Sequence, residues 1–159
     1  MSSRPVLTNP NDLLRKTSAL VSDKEFDSDE LNELIEDLVE TMGVENGIGI
    51  ASPQIGVHKR LIIIDTGDGP QALINPKITA RSLRKIESEE GCLSVPGVYG
   101  MVKRHREVKA IAFDRHGNEL KFKASGLLSI VLQHEIDHLN GILFIDKVTS
   151  YTKPPETAL

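Results

Sequence analysis

The segment from Gly126 to Asn140 constrains the fold most, because it has the pattern of a buried helix that carries ionisable side chains. One helical face holds Leu127, Ile130, Val131, His134 and His138. Both histidines therefore continue the stripe that enters the core. We expect Ser125 to cap this helix and Gly141 to end it. Short strands before a late buried helix indicate the α+β fold class.

The spacing of His134 and His138 indicates a metal site. Side chains four residues apart lie one turn apart on the same side of a helix, so two imidazoles can converge on one ion. Glu135 borders that face at an offset of about 100°. It can reach a metal-bound water as general base without being a ligand. The alternative is a helix with two surface histidines, but the intervening glutamate and the apolar residues before His134 favour metal binding.

A hydrolytic metal site of this kind needs a third protein ligand and one open position. The candidates are Cys92, several carboxylates, and the three histidines His58, His105 and His116. We rank Cys92 first because the lone cysteine lies in a loop flanked by glycines, although a free cysteine is most often core packing. His58 and His105 have basic neighbours and are expected to be solvated, while His116 belongs to a turn.

Two further helices are predicted before residue 45. A short helix is expected from Asn9 to Thr17, with Asn9 as its cap and Pro10 in its first turn. A longer helix is expected from an apolar stripe at three- and four-residue steps, formed by Leu31, Leu34, Ile35, Leu38, Val39 and Met42. Asp27 and Glu30 would form its capping box, and Gly43 would end it.

The remaining segments read as loops and short strands. Residues 47–56 look like a shaped loop or an interrupted strand. The predicted strands are 61–65, 71–78, a hairpin of 108–113 with 119–123, and 142–145. Pro76 places the second of these near a sheet edge. Residues 81–91 are charged, and the residues after 148 are expected to form a loose tail.

Bulk properties indicate one domain, since 159 residues with 39% hydrophobic content can bury a core. The formal net charge of -4 gives no reason to expect direct nucleic-acid binding, although it does not exclude a local basic patch on the surface. There is no apolar run of membrane-spanning length and no secretory signal pattern, so we expect an intracellular protein without a membrane partner.

Three segments together resemble the peptide deformylase family: GIGIASPQIG at 47–56, EGCLS at 90–94 and QHEIDHLNG at 133–141. Their order and spacing agree with the family, and the resemblance covers about residues 7–148. It implies mainly antiparallel sheets packed around a buried metal-binding helix near residues 126–140. It also implies a catalytic domain at 1–148 and a short C-terminal tail at 149–159.

The resemblance implies a metal centre formed by Cys92, His134 and His138. Family members often hold Fe(II), which Zn, Ni or Co can replace, and a thiolate with two imidazoles suits all of these ions. Glu135 would be the acid/base residue. The implied reaction is hydrolysis of the N-formyl group from the formyl-methionine of newly made polypeptides, with release of formate.

The resemblance also assigns roles around the metal. The side-chain amide of Gln54 and the backbone N–H of Leu93 would stabilise the oxyanion. Backbone groups of Ile48, Gly49 and Gly91 would pair with the substrate peptide as an added strand. The apolar residues before His134 can line the methionine pocket, fill the core, or do both. An ion pair between Asp137 and Arg104 is a further possibility.

The implied partners are N-formyl-methionyl nascent peptides, with transient proximity to the ribosome and a monomer as the favoured state. The expected location is the cytoplasm or another compartment with bacterial-type translation. Two alternatives stay open at this point. One is an HExxH metallopeptidase, and the other is a non-catalytic relative that binds formyl peptides.

Overall fold

Two α-helices and two antiparallel sheets make up residues 2–156, the part of the chain that the computed structural model describes. The helices are α1 (Asp29–Val44) and α2 (Gly126–Leu139). The strands are β1 (Gly49–Ala51), β2 (Leu61–Ile64), β3 (Gln71–Arg81), β4 (Lys85–Cys92), β5 (Val95–His105), β6 (Glu107–Phe113), β7 (Glu119–Ser125) and β8 (Val148–Lys153). The predicted α+β class with antiparallel sheets is confirmed. Within residues 2–156 no helix is both long and apolar enough to span a bilayer.

The larger sheet has the strand order β1-β2-β3-β6-β7 and lies between the two α-helices. Strand β2 shows this best, because successive side chains of a strand point to opposite faces. Ile62 and Ile64 belong to the cluster that contains Leu132 of α2. Leu61 and Ile63 belong to the cluster formed with α1. Both faces of this strand are therefore buried, and α2 is held against one of them.

The smaller sheet has the order β4-β5-β8. Its strand β4 ends at Cys92, one of the three predicted metal ligands. Its β5 side chains Val98 and Val102 pack with Leu14, Leu143 and Phe144 in a third apolar cluster. Strand β4 lies at one edge of this sheet, as β1 lies at one edge of the larger sheet.

The helix boundaries correct several expectations. Helix α1 begins after Ser28, whose hydroxyl accepts from the Leu31 N–H. Asp27 cannot cap it, because its φ of 60° lies outside the extended region that a cap residue adopts. Gly43 is inside the helix and does not end it. The helix predicted from Asn9 is only a 3-10 turn, Asp12–Arg15, capped by Asn11.

The strands differ from the sequence-based expectations in four further respects. Pro76 lies in the central strand of its sheet, where a register shift between Ile74 and Lys77 accommodates the missing N–H. The charged segment 81–91 largely forms β4. The predicted strand 142–145 is wrong, since Phe144–Asp146 is a 3-10 turn. The segment expected as a loose tail contains β8, which pairs with β5. The hairpin of β6 and β7 forms as predicted.

Candidate active site

The three predicted metal ligands come together where α2 passes the end of β4. Cys92 is the last residue of β4, and His134 and His138 lie one turn apart on α2. One ligand atom from each residue lies within 4.8 Å of the others. Cys92 Sγ lies 3.3 Å from His138 Nε2. The cluster is therefore small enough for one ion to contact all three side chains.

The surroundings of the imidazoles fit a metal centre. Glu90 Oε1 lies 2.8 Å from His134 Nδ1, which leaves His134 Nε2 free to act as a ligand. A carboxylate on the remote ring nitrogen is the usual arrangement behind a ligating histidine. His138 Nδ1 is buried and has no hydrogen-bond partner among residues 2–156. One thiolate with two imidazoles suits Fe, Zn, Ni or Co.

The two imidazoles have opposite pKa shifts before a cation binds. Burial opposes protonation of His134, but hydrogen bonds with Cys92 and Glu90 outweigh it and raise its pKa to about 10. Burial and the charge of His134 hold the pKa of His138 well below its usual value. Binding of a cation at Nε2 of His134 would therefore displace a proton.

Glu135 is placed to exchange protons at this centre. Its Oε1 lies 3.8 Å from Nε2 of both His134 and His138. Burial raises the pKa of Glu135 to about 7, against the opposing effect of His134. A carboxyl group with a pKa near neutrality can both accept and return a proton during one reaction cycle. The position and the pKa together suit an acid/base residue.

Gln54 points its amide nitrogen at the same cluster. It is buried in the 3-10 turn after β1, and its Oε1 accepts from the Ala51 N–H at 2.9 Å. Its Nε2 donates to Ser94 Oγ at 3.0 Å and lies 3.7 Å from Cys92 Sγ. Sequence reasoning did not single out Ser94, although it lies in the same EGCLS segment as Cys92. Ser94 and Ala51 together fix which side of the amide faces the site.

A cavity of about 480 Å³ opens onto this cluster and is bordered by both sheets. The residues predicted to contact the substrate all line it: Ile48, Gly49, Gly91 and Leu93. Because β1 and β4 are edge strands of different sheets, the cavity lies between two open strand edges. Leu127, Ile130 and Val131 line it as well, and Val131 is also part of the core.

Two of the glycines in this cavity are closely packed against neighbouring side chains. A Cβ on Gly49 would lie 3.0 Å from atoms of the Glu135 side chain. A Cβ on Gly91 would lie 2.6 Å from the Tyr99 ring. The backbone of β1 therefore packs directly on the acid/base candidate, and the Tyr99 ring packs directly on β4.

A buried ion-pair network lies behind the histidines. Arg104 donates from Nε and Nη2 to the two carboxylate oxygens of Glu90, each at 2.9 Å. Its Nη1 lies 2.6 Å from Asp137 Oδ2, so the ion pair considered from the sequence is present. Burial opposes ionisation of Glu90, but Arg104 and His134 outweigh it and lower its pKa to about 2. Glu90 therefore stays an anion beside His134.

The other candidate ligands lie elsewhere. His58 Nε2 is 2.7 Å from the Leu13 carbonyl oxygen, and His105 Nδ1 is 2.8 Å from that of Ser82. Both rings are half-buried, which corrects the expectation that they are solvated. His116 lies in the exposed turn between β6 and β7, as predicted.

Comparisons with known proteins identify the family. Residues 3–154 match the Polypeptide deformylase family. The chain is 45% identical over 156 residues to a peptide deformylase of Caldicellulosiruptor bescii, covering 98% of this chain and 92% of the relative. It is 48% identical over 147 residues to a peptide deformylase of Syntrophomonas wolfei, covering 92% and 94%.

A solved structure gives the same result for the fold. The Met-Ala-Ser-bound class I type b peptide deformylase of Acinetobacter baumannii superimposes with a TM-score of 0.89 at 35% identity. The match covers 93% of this chain and 100% of that one. The matched family is metal-dependent, and the Cys92, His134 and His138 group could hold a metal. The chain belongs to the polypeptide deformylase family and is a peptide deformylase enzyme.

Proposed function

We propose that this enzyme removes the N-formyl group from the N-terminal formyl-methionine of newly made polypeptides and releases formate. Family membership supports the reaction type. The observation that carries the residue assignment is the position of Glu135, whose Oε1 is 3.8 Å from Nε2 of both histidines at the base of the cavity. That position suits a residue that deprotonates water next to a bound cation.

The metal centre is assigned to Cys92, His134 and His138, which would hold one divalent ion. We expect Fe(II) as the physiological ion, with Zn, Ni or Co as substitutes. A divalent ion held there supplies Lewis acidity, which lowers the pKa of water and polarises a carbonyl group. Glu90 keeps the His134 ring oriented for this task.

The proton transfers are assigned to Glu135. Its carboxylate takes a proton from the water whose oxygen attacks the formyl carbon. When the bond between the formyl carbon and the methionine nitrogen breaks, Glu135 returns that proton to the nitrogen. The products are formate and a free α-amino group.

The oxyanion is assigned to two donors, Gln54 Nε2 and the backbone N–H of Leu93. The Gln54 assignment is supported by the contacts that fix its amide, from Ala51 and to Ser94. A donor that is already oriented needs no rearrangement as negative charge develops, so its contribution is largest in the transition state.

Substrate binding is assigned to the two strand edges. The peptide backbone would lie extended between Ile48 and Gly49 on one side and Gly91 on the other. The methionine side chain would enter the apolar part of the cavity, near Leu127 and Ile130. The Met-Ala-Ser-bound Acinetobacter baumannii relative supports a short peptide as the occupant. We further propose a monomer that acts on nascent chains close to the ribosome, in a compartment with bacterial-type translation.

The test is formate release by anaerobically prepared, Fe(II)- or Ni(II)-loaded enzyme. We expect release from N-formyl-Met-Ala-Ser and none from the N-acetyl peptide. Cleavage of internal peptide bonds without formate release would indicate a metallopeptidase instead. Binding of the formyl peptide without any turnover would indicate a non-catalytic relative.

The matched variant is Glu135→Gln, which keeps the shape of the side chain but removes the base. We expect turnover to fall by about 10²- to 10⁴-fold, the usual contribution of a general base. Metal content, measured by elemental analysis, should stay at the wild-type level. Loss of the metal in this variant would contradict the assignment of Glu135 as a base and not a ligand.

A further inference from the structure

A continuous series of charged contacts leads from the protein surface to a metal-ligand candidate. Lys147 Nζ lies 2.9 Å from Asp137 Oδ2, and Arg104 Nη1 lies 2.6 Å from the same oxygen. Arg104 also contacts both oxygens of Glu90 at 2.9 Å. Glu90 then contacts His134 Nδ1 at 2.8 Å. Each member of this network, from Lys147 to His134, contacts the next directly.

Lys147 gives Asp137 a cation of its own, in addition to the Arg104 guanidinium. Glu90 and Asp137 are two carboxylates that share one guanidinium, and the side chains of Glu90 and Arg104 are 5% and 2% exposed. An uncompensated charge in such a place is unfavourable. Lys147 supplies the second cation. Without Lys147, Asp137 would be held less firmly and would anchor the Nη1 end of Arg104 less well.

The backbone of Lys147 is fixed in a hydrogen-bonded turn. Its backbone N–H donates to the Phe144 carbonyl oxygen at 2.9 Å, which fixes the turn before β8. The preceding residue, Asp146, accepts from the Leu143 N–H at 3.0 Å and pairs with Arg15. A preorganised backbone lowers the entropy that a lysine loses on pairing.

We propose that Asp137 and Lys147 are positioning residues of the metal centre. Lys147 anchors Asp137, and Asp137 anchors Nη1 of Arg104, so that Nε and Nη2 of Arg104 stay on Glu90 and Glu90 holds the His134 ring with Nε2 toward Cys92. The inference rests on the proposed function only in taking His134 as a metal ligand. Through Lys147, the turn before β8 would then influence how tightly the ion is retained.

The test measures metal loss without any substrate. Ni(II)-loaded enzyme is mixed with excess EDTA, and the rate of metal loss is compared among variants. Asp137→Asn and Lys147→Met break the network, and Lys147→Arg restores the charge. The matched control is Lys123→Met, because Lys123 pairs with Glu107 at 3.4 Å at the edge of the other sheet. Thermal unfolding of the metal-free variants separates retention of the ion from stability of the fold.

We expect Asp137→Asn to lose metal about tenfold faster than the wild type. This is the lower end of the range observed when a residue that supports a metal ligand is replaced. Lys147→Met should lose it about threefold faster, since the lysine acts through Asp137 at a half-exposed position. Lys147→Arg and Lys123→Met should match the wild type.

Two results would overturn the inference. One is equal metal loss in Lys147→Met and Lys123→Met. The other is a lower unfolding temperature of the metal-free Asp137→Asn protein with unchanged metal loss, which would indicate a structural role alone. Because no substrate is present, normal metal retention without formate release would reject the proposed function and leave this inference standing.

Discussion

Replacing Gly49 by alanine tests whether the backbone of β1 positions Glu135. The added Cβ would lie 3.0 Å from Cδ, Cγ and Oε2 of Glu135, whereas ordinary Cβ contacts begin near 3.4 Å. One of the two groups therefore has to move by about 0.4 Å. All three atoms nearest to that Cβ belong to Glu135, so the effect falls on the proposed acid/base residue.

The size of the effect follows from the sensitivity of catalysis to position. Misplacement by 1 Å costs about 10²-fold in rate. A shift of roughly 0.4 Å is then expected to lower kcat by about five- to tenfold, or about 1 kcal/mol of transition-state stabilisation. Unfolding stability should change little, because the strain is confined to one side chain and one short strand.

The assay is steady-state formate release from N-formyl-Met-Ala-Ser, with kcat and KM determined separately. Gly43→Ala is the matched control, since a Cβ at that position in α1 has no atom within 4 Å. It should keep wild-type kcat and gain about 0.5 to 1 kcal/mol in stability. A Gly49→Ala enzyme with wild-type kcat, or with a change in KM alone, would refute the displacement of Glu135.

Two further predictions concern Glu90 and Ser94. The pKa of Glu90 is lowered from 4.5 to about 2, so its ionisation stabilises the fold fully above pH 4.5, and this contribution is lost as the pH falls through 2. In metal-free protein, urea unfolding should show that the free energy of unfolding falls by about 3 kcal/mol over this pH range. The Glu90→Gln protein should show a smaller dependence of this free energy on pH. Equal pH dependence in the two proteins would contradict the lowered pKa of Glu90. Ser94→Ala removes the 3.0 Å acceptor of Gln54 Nε2 and should lower kcat about fivefold, the value of one hydrogen bond. An unchanged kcat would show that Ala51 alone orients the amide.

The helical half of the site could be predicted from periodicity. His134 and His138 follow the apolar stripe of α2, and the structure places both beside Cys92. Cys92 was ranked above the three remaining histidines from its glycine-flanked segment, but its assignment depended chiefly on the resemblance, because no local pattern connects residues 42 positions apart. Spacing within one helix is geometric information, whereas contact between a strand end and a helix depends on the whole fold.

Strands β4 and β8 were missed for the same physical reason, which is that hydropathy does not show how polar groups are paired. Strand β4 contains Glu87, Glu89 and Glu90, and its charge reads as a surface loop. Glu90 is nevertheless buried, because Arg104 from the neighbouring strand neutralises it. Strand β8 is mostly exposed and is held by backbone hydrogen bonds to β5, which any sequence can make. Pairing of this kind leaves no apolar pattern to find.

The shortness of β1 has a consequence for how the enzyme can choose among substrates. Its three residues form an open edge that is too brief to recruit another copy of the chain into a continuous sheet. The same edge can still hold one or two residues of an extended peptide through main-chain groups that every peptide carries. Contacts of this kind are weak individually and indifferent to side chains. They would let a single enzyme accept many different proteins at the same terminal residue and release each of them quickly.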